Sequence, residues 1–223
     1  DQKSGKPLGL LQDEGYLTDV RTAVAGAICA KYLAPNNIEA IGIIGTGVQA
    51  RMQLEYLKSV TDCRSAIVWG RSKSALDQYR TSMADSGFII ETTMALDQVT
   101  DNCNLIVTCT ASEKPLIIKD QIKGKIHITA MGSDTPNKQE LDSNVLSKAD
   151  LIIADSRSQC EVRGEIHHAI KNKIVSMDSI VELGEIINGD RQGRTTGSEL
   201  TVADLTGVAV QDIQISKAVL SNI

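Results

Sequence analysis

An α/β fold built on a parallel sheet is predicted by three features of the chain. Short, continuous β-branched runs recur from about residue 38 onward, polar helix-compatible stretches separate them, and a glycine turn joins the first run to the first such stretch. Runs without polar alternation suit strands covered on both faces, and their alternation with helical stretches suits repeated βαβ units.

The segment before this pattern, residues 18–34, is rich in Ala and Gly and reads as one helix. Thr18 or Asp19 is its expected cap and Pro35 follows its end. The strands follow as Ile41–Ile44, Ala66–Trp69, a weaker run Phe88–Thr93, Leu105–Cys109, Ile126–Ala130 and Leu151–Ala154. Helices are expected over 49–60 and 72–86. After the short run Glu199–Val202, residues 203–221 read as a second long helix. Both terminal segments fall outside the alternation. They predict residues 1–30 and 201–223 as parts of a second domain, with the main α/β domain over 31–200.

The chain has 223 residues, 42% of them hydrophobic and 23% charged, a balance that excludes a disordered chain. A formal net charge of -5, with no basic run, argues against nucleic acid as a partner. No apolar stretch approaches the roughly 20 residues of a bilayer span. The start, Asp1-Gln-Lys-Ser-Gly-Lys6, lacks a signal-peptide pattern and reads as a polar turn entered partway. Cys29, Cys63, Cys103, Cys109 and Cys160 are odd in number and scattered without a CxxC pair. Reduced thiols and a cytoplasmic setting are the expectation.

The strongest chemical signal is Gly45-Thr46-Gly47-Val48-Gln49-Ala50, placed after a buried-type strand and at the opening of a helix. That context is what a dinucleotide-binding GxGxxA loop requires. Gly45 allows the tight turn, Gly47 lets the backbone approach a pyrophosphate, and Ala50 lets helix and strand pack closely. The phosphates then meet unpaired amides at a helix N-terminus. With this loop the fold is expected to be of Rossmann type, a doubly wound parallel sheet.

The second strand ends in Gly70-Arg71-Ser72-Lys73, and no Asp or Glu occurs between Arg64 and Asp77. An NAD-selective site usually carries an acid here for the ribose hydroxyls. Two cations and a hydroxyl suit a 2′-phosphate instead, so NADP(H) is favoured and NAD(H) remains open.

Thr108, Thr110 and Met131 follow the fourth and fifth strands, where a ligand crevice forms in such sheets. Asp134 lies between Gly132 and Pro136, and reads either as a turn residue or as a carboxylate able to move a proton beside a nicotinamide. His127, His167 and His168 are the three histidines. The adjacent pair points about 100° apart on a helix, and neither HExxH nor a cysteine cluster is present, so no metal is expected. No GxSxG elbow supports a serine hydrolase.

Beyond these local readings, the chain resembles the ornithine cyclodeaminase/μ-crystallin family. The likeness lies in Gly15–Ala23, the loop Ile44–Ala50, Gly132–Leu141, Glu182–Gly189 and Glu199–Asp212. It implies a Rossmann domain joined to a discontinuous substrate domain that forms a homodimer. It implies Asp134 as general acid/base, Arg21 and Lys138 as cofactor-contacting or site-shaping residues, and Thr206 and Gly207 on the substrate side. Where several members of the family carry Ser, this chain has Leu205. The activities implied are reduction of a cyclic imino acid or 2-imino acid, or the cyclodeamination of ornithine to proline with recycled NAD. A third is a crystallin-like role as a ligand-binding protein.

Overall fold

The computed structural model describes residues 1 and 3–222. In chain order the elements are α1 (Tyr16–Leu33), β1 (Ile41–Ile44), α2 (Val48–Leu57), β2 (Ser65–Trp69), α3 (Lys73–Ser82), β3 (Ile89–Thr93) and α4 (Leu96–Asn102). Then come β4 (Leu105–Thr108), β5 (His127–Ala130), α5 (Ser143–Leu146), β6 (Leu151–Ala154), α6 (Arg157–Cys160) and α7 (Gly164–Lys171). The last are β7 (Ile180–Glu182), α8 (Leu183–Ile187), β8 (Thr201–Asp204) and α9 (Ala209–Leu220).

The strands form one parallel sheet of order β3-β2-β1-β4-β5-β8-β6-β7. Alternate strand residues feed two cores. Ile41, Ile43, Leu105, Val107, Ile153 and Ala203 face the layer that contains α1, α2 and α3. Ile44, Ile106, Ile128, Ile152 and Val202 face the layer that contains α4, α5 and α7. Each fully buried Ile or Leu contributes roughly 1.5–3 kcal/mol, so burial on both faces accounts for the continuous apolar runs. The Rossmann-type sheet expected from the sequence is therefore the observed architecture.

Two expectations need correction. The first helix starts at Tyr16, and its N-cap is Gly15 at φ 88°, not Thr18 or Asp19. The Asp19 carboxylate instead accepts a hydrogen bond from Gln49 Nε2 at 2.8 Å. At the other end, residues 203 and 204 are strand, and α9 begins only at Ala209. β8 slots between β5 and β6 and pairs with both. Nothing local in Ala203-Asp204-Leu205 marks a strand; the open position between two strands does. The boundaries expected at 31 and 201 accordingly fall inside α1 and at the start of a central strand.

α1 packs along α2 with little room between them. A Cβ at Gly26 would collide with Gln53 Oε1. This contact brings the start of α1 to the C-terminal side of the sheet, where the site lies.

Candidate functional site

The strand order reverses direction between β1 and β4, which opens a crevice at the carboxyl ends of these strands. The loops after β1, β4, β5 and β8 border it, together with the first turns of α1.

The first rim is the glycine loop. Gly45 stands at φ +134°, and a Cβ there would lie 2.9 Å from the Cys109 carbonyl oxygen. Only glycine meets both demands. Gly47 caps the ten-residue α2 with no side-chain hydrogen bond, and a Cβ at that position would meet nothing within 4 Å. Free amides facing open space at a helix start suit an anionic pyrophosphate. Val48 is exposed and Ala50 is fully buried, with the Ala50 carbonyl accepting from Tyr79 Oη at 3.0 Å. Thr46 packs its methyl against Gly70, where a Cβ would come within 2.7 Å of Thr46 Cγ2. Gln49 turns toward α1 and donates to the Asp19 carbonyl and carboxylate at 3.2 and 2.8 Å. The residue thus braces the loop from the side.

Next to this rim, Arg71, Ser72 and Lys73 are all exposed beyond the end of β2. Ser72 caps α3, its Oγ accepting from Ala75 N at 3.5 Å. Among the described residues, neither Arg71 nor Lys73 forms an ion pair, in contrast to Arg80 on the same helix.

The second rim is built differently. Thr108 is fully buried and its hydroxyl donates to Glu140 Oε2 at 2.6 Å. That hydrogen bond ties it to the wall of the crevice; it presents no exposed surface to a ligand. Thr110 N donates to Glu140 Oε1 at 2.6 Å, and Gly132 N donates to Glu140 Oε2 at 2.9 Å. Met131 is buried below the loop and borders a small cavity with Arg21, Leu205 and Gly207. Asp134 is exposed on this loop, and its Oδ1 accepts from Lys138 Nζ at 2.6 Å. The Lys138 carbonyl in turn meets His168 Nε2 at 2.9 Å. Asp134 and Lys138 thus form one charged pair on the crevice loop.

The third side is the turn after β8. Gly207, at φ +82°, donates its amide to Asp155 Oδ2 at 2.7 Å, and Thr206 Oγ1 donates to Asp155 Oδ1 at 3.3 Å. Arg21 reaches over this turn: a Cβ on Gly207 would lie 3.0 Å from Arg21 Nη1. Arg21 also donates from Nε to Asp212 Oδ1 at 3.0 Å and from Nη1 to Gln211 Oε1 at 3.3 Å. Beside Arg21 and Asp155 opens a largely apolar groove of about 550 Å³ between α1, α8 and α9.

Three carboxylates carry no functional signal in the sequence. Glu140 and Glu165 are buried, and Asp155 is largely so. Burial raises all three acids above their ordinary range, Glu165 to about 7, against the hydrogen bonds that lower them. Glu140 stands between Gln139 and Leu141 and Glu165 between Gly164 and Ile166, neighbours that do not mark either acid as buried. Burial alone reveals them.

The histidines are held structurally. His127 is fully buried in β5, its ring nitrogens meeting Thr201 Oγ1 at 2.8 Å and Thr129 Oγ1 at 2.9 Å. Burial holds it down to about 3, and it stays neutral. Among the described residues, no group of three or more His, Cys, Asp or Glu is placed to hold a metal ion, and no helix is long and apolar enough to cross a membrane.

The family model of the ornithine cyclodeaminase/mu-crystallin family matches residues 1–223. The chain belongs to that family. It is 39% identical over 216 residues to an uncharacterized cyclodeaminase of Sinorhizobium fredii, covering 96% of this chain and 65% of that protein. Among solved structures, an archaeal alanine dehydrogenase dimer with bound NAD superimposes with a TM-score of 0.91 at 34% identity, over 99% of this chain and 70% of that one. The Δ1-pyrroline-2-carboxylate reductase of Thermococcus litoralis, in complex with NADH and L-proline, gives 0.92 at 28% identity, over 97% and 68%. The chain thus spans about 65% of the length of the first curated relative it matches.

Proposed function

We propose that this chain carries the cofactor-binding part of a nicotinamide-dependent oxidoreductase that reduces a small cyclic imino acid or 2-imino acid. The observation that carries the reading is the Asp134–Lys138 pair, on the loop whose strand end is clamped to β4, which in turn touches the glycine loop through Cys109. One continuous arc runs from a phosphate-type helix start to a solvent-accessible carboxylate.

The residues present fit a dinucleotide. Gly45, Thr46, Gly47 and Val48 would hold the pyrophosphate, with Ala50 buried beneath the loop so that helix and strand pack closely and Gln49 bracing it from the side. When bound, the nicotinamide ring supplies or accepts a hydride. Asp134 would accept or deliver the proton at its Oδ atoms, and Lys138, bonded to Oδ1 at 2.6 Å, fixes the orientation of that carboxylate. Arg21 offers a cation over the Gly207 turn, and Thr206 and Gly207 set the height of that turn through Asp155. The apolar groove beside them belongs to the substrate side of this reading.

The cofactor we favour is NADP(H). Arg71 and Lys73 stand exposed and form no ion pair among the described residues, and Ser72 is spent on capping α3. The NAD and NADH held by the two structural relatives keep NAD(H) as the alternative. A second domain and a homodimer complete the proposal. Their support is the exposed Leu8 and Leu10 and the helix α9, which buries none of its residues, along with the dimer of the archaeal relative. Five free thiols accord with a reducing, cytoplasmic setting.

The test is nicotinamide absorbance with the full-length protein, NADPH or NADH, and Δ1-pyrroline-2-carboxylate. Oxidation of NADPH in preference to NADH is expected. If neither is oxidised but ornithine yields proline with trace NAD⁺, the protein is a cyclodeaminase, a reading favoured by the Sinorhizobium relative. Cofactor binding with neither turnover would leave a ligand-binding role.

A further inference from the structure

Glu140 is fully buried, yet its carboxylate joins two strand ends of the crevice through three donors. It accepts from Thr108 Oγ1 and Thr110 N at the end of β4 and from Gly132 N at the end of β5. Its own backbone is equally committed: the carbonyl accepts from Leu116 N at 2.7 Å and Ile117 N at 3.1 Å. Its amide donates to Glu165 Oε1 at 2.8 Å, and Leu141 N donates to Glu165 Oε2 at 3.0 Å. Glu165 also receives Ser133 Oγ at 2.5 Å, from the residue just before Asp134. Gly132 completes the joint, because any Cβ there would collide with the Thr110 carbonyl and sit 2.6 Å from Glu140 Oε2.

A buried carboxylate is a costly way to join two strand ends, since burial disfavours its charge. A neutral side chain cannot replace it, because all three partners are donors and a carboxylate is the acceptor-only group. Two of those donors are backbone amides within two residues of the loops that border the crevice. Charge-assisted bonds of this kind are shorter and stronger than neutral ones, so the separation of the loops is held stiffly.

We propose that Glu140 is a positioning residue: its carboxylate, seated on Glu165, sets the spacing of the 108–110 and 131–134 loops and so the placement of Asp134 against the bound cofactor. This rests on the oxidoreductase reading for its catalytic consequence but not for its geometry. Most dinucleotide affinity arises at the glycine loop, on the other rim. Loss of the clamp therefore loosens the reacting end while cofactor binding persists, and misplacement on the order of 1 Å costs about 100-fold in rate.

The experiment uses the full-length protein and the Glu140→Gln variant, whose amide must face at least one of the donors. Glu140→Asp, which keeps the acceptor but shortens its reach, is the second variant. Three quantities are measured: the turnover rate with an imino acid, the affinity for reduced cofactor by its fluorescence, and amide hydrogen exchange at Thr110 and Gly132. For Glu140→Gln, turnover is expected to slow at least about 10-fold, as a partial loss of positioning implies. Cofactor affinity should stay within about 3-fold of the parent, because the glycine loop is untouched. Exchange should quicken at both amides, with Glu140→Asp intermediate in all three readings. Unchanged exchange at both amides would overturn the clamp. So would unchanged turnover, or a cofactor affinity that weakens in step with turnover. Should Glu140→Gln fail to fold, Glu140→Asp decides by the same three readings. If the parent neither binds cofactor nor turns over, the oxidoreductase reading fails, while the exchange data still decide the clamp.

Discussion

The two rims of the crevice are held by opposite means. The glycine loop is shaped by what is missing: Gly45 and Gly70 leave space that Cys109 and Thr46 fill, and Gly47 leaves space that is open. The rim that carries Asp134 is shaped by what is added, namely two buried carboxylates that grip backbone amides. On the proposed oxidoreductase reading, the difference follows from what each rim would do. A pyrophosphate needs free amides and close backbone approach, so side chains are stripped away. A proton-carrying group needs a fixed height above the reacting atom, so its loop is pinned.

The largest effect is expected where the second rim meets chemistry. Asp134→Asn keeps the shape but removes the base, and turnover should fall about 10²- to 10⁴-fold while cofactor affinity changes little. Steady-state kinetics alongside fluorescence titration checks this, and equal losses in both would place Asp134 in binding instead. The mirror experiment strikes the first rim. Gly45→Val forces a side chain into φ +134° and against the Cys109 carbonyl. Strain of roughly 1–3 kcal/mol plus that collision should abolish dinucleotide binding, which calorimetric titration would show.

A smaller effect sharpens cofactor choice. Replacing both Arg71 and Lys73 with Ala should weaken NADPH by about 10- to 100-fold, the worth of one or two charge-assisted bonds. NADH binding should stay unchanged, and equal losses for both cofactors would remove the 2′-phosphate assignment.

The smallest effects concern pH. Folded His127 resists protonation until about 3 against an ordinary 6.5, so the unfolded chain binds more protons between these values. Its contribution is present above pH 6.5 and is lost as pH falls. Glu165 has the reverse sign: its folded value is raised from 4.5 to about 7, so its contribution is present below 4.5 and is lost as pH rises through 7. Between about pH 5 and 6.5 each is worth up to about 2 kcal/mol, in opposite directions. Glu140, Asp155 and Asp204 are raised as well and share the sign of Glu165, so the slope of each variant's urea midpoint with pH is read against that of the parent. Relative to the parent, His127→Gln should make stability fall more steeply as pH rises, and Glu165→Gln should shift the slope in the opposite direction; identical slopes in the two variants would refute both assignments.

Much of this was legible in the residues. The runs at 41–44 and 151–154 coincide with strands, and the glycine loop lies between a buried strand and a helix as expected. Local signals succeed there because apolar continuity and turn chemistry act over a few residues. They failed at Ala203-Asp204, where a strand forms because β5 and β6 leave a place for it. They also failed at Thr108, a crevice candidate whose hydroxyl the fold spends on Glu140.

The α/β class and the family were legible along the chain, as was the glycine turn between the first strand and its helix, since each rests on short-range pattern or on motifs of a few residues. Folding was needed to place β8 in the middle of the sheet, to lay Arg21 over Gly207, and to bury Glu140, Glu165 and Asp155. Such facts depend on which distant segments meet. A carboxylate's role is set by the donors that surround it after folding, and those donors lie up to 52 residues away in the chain.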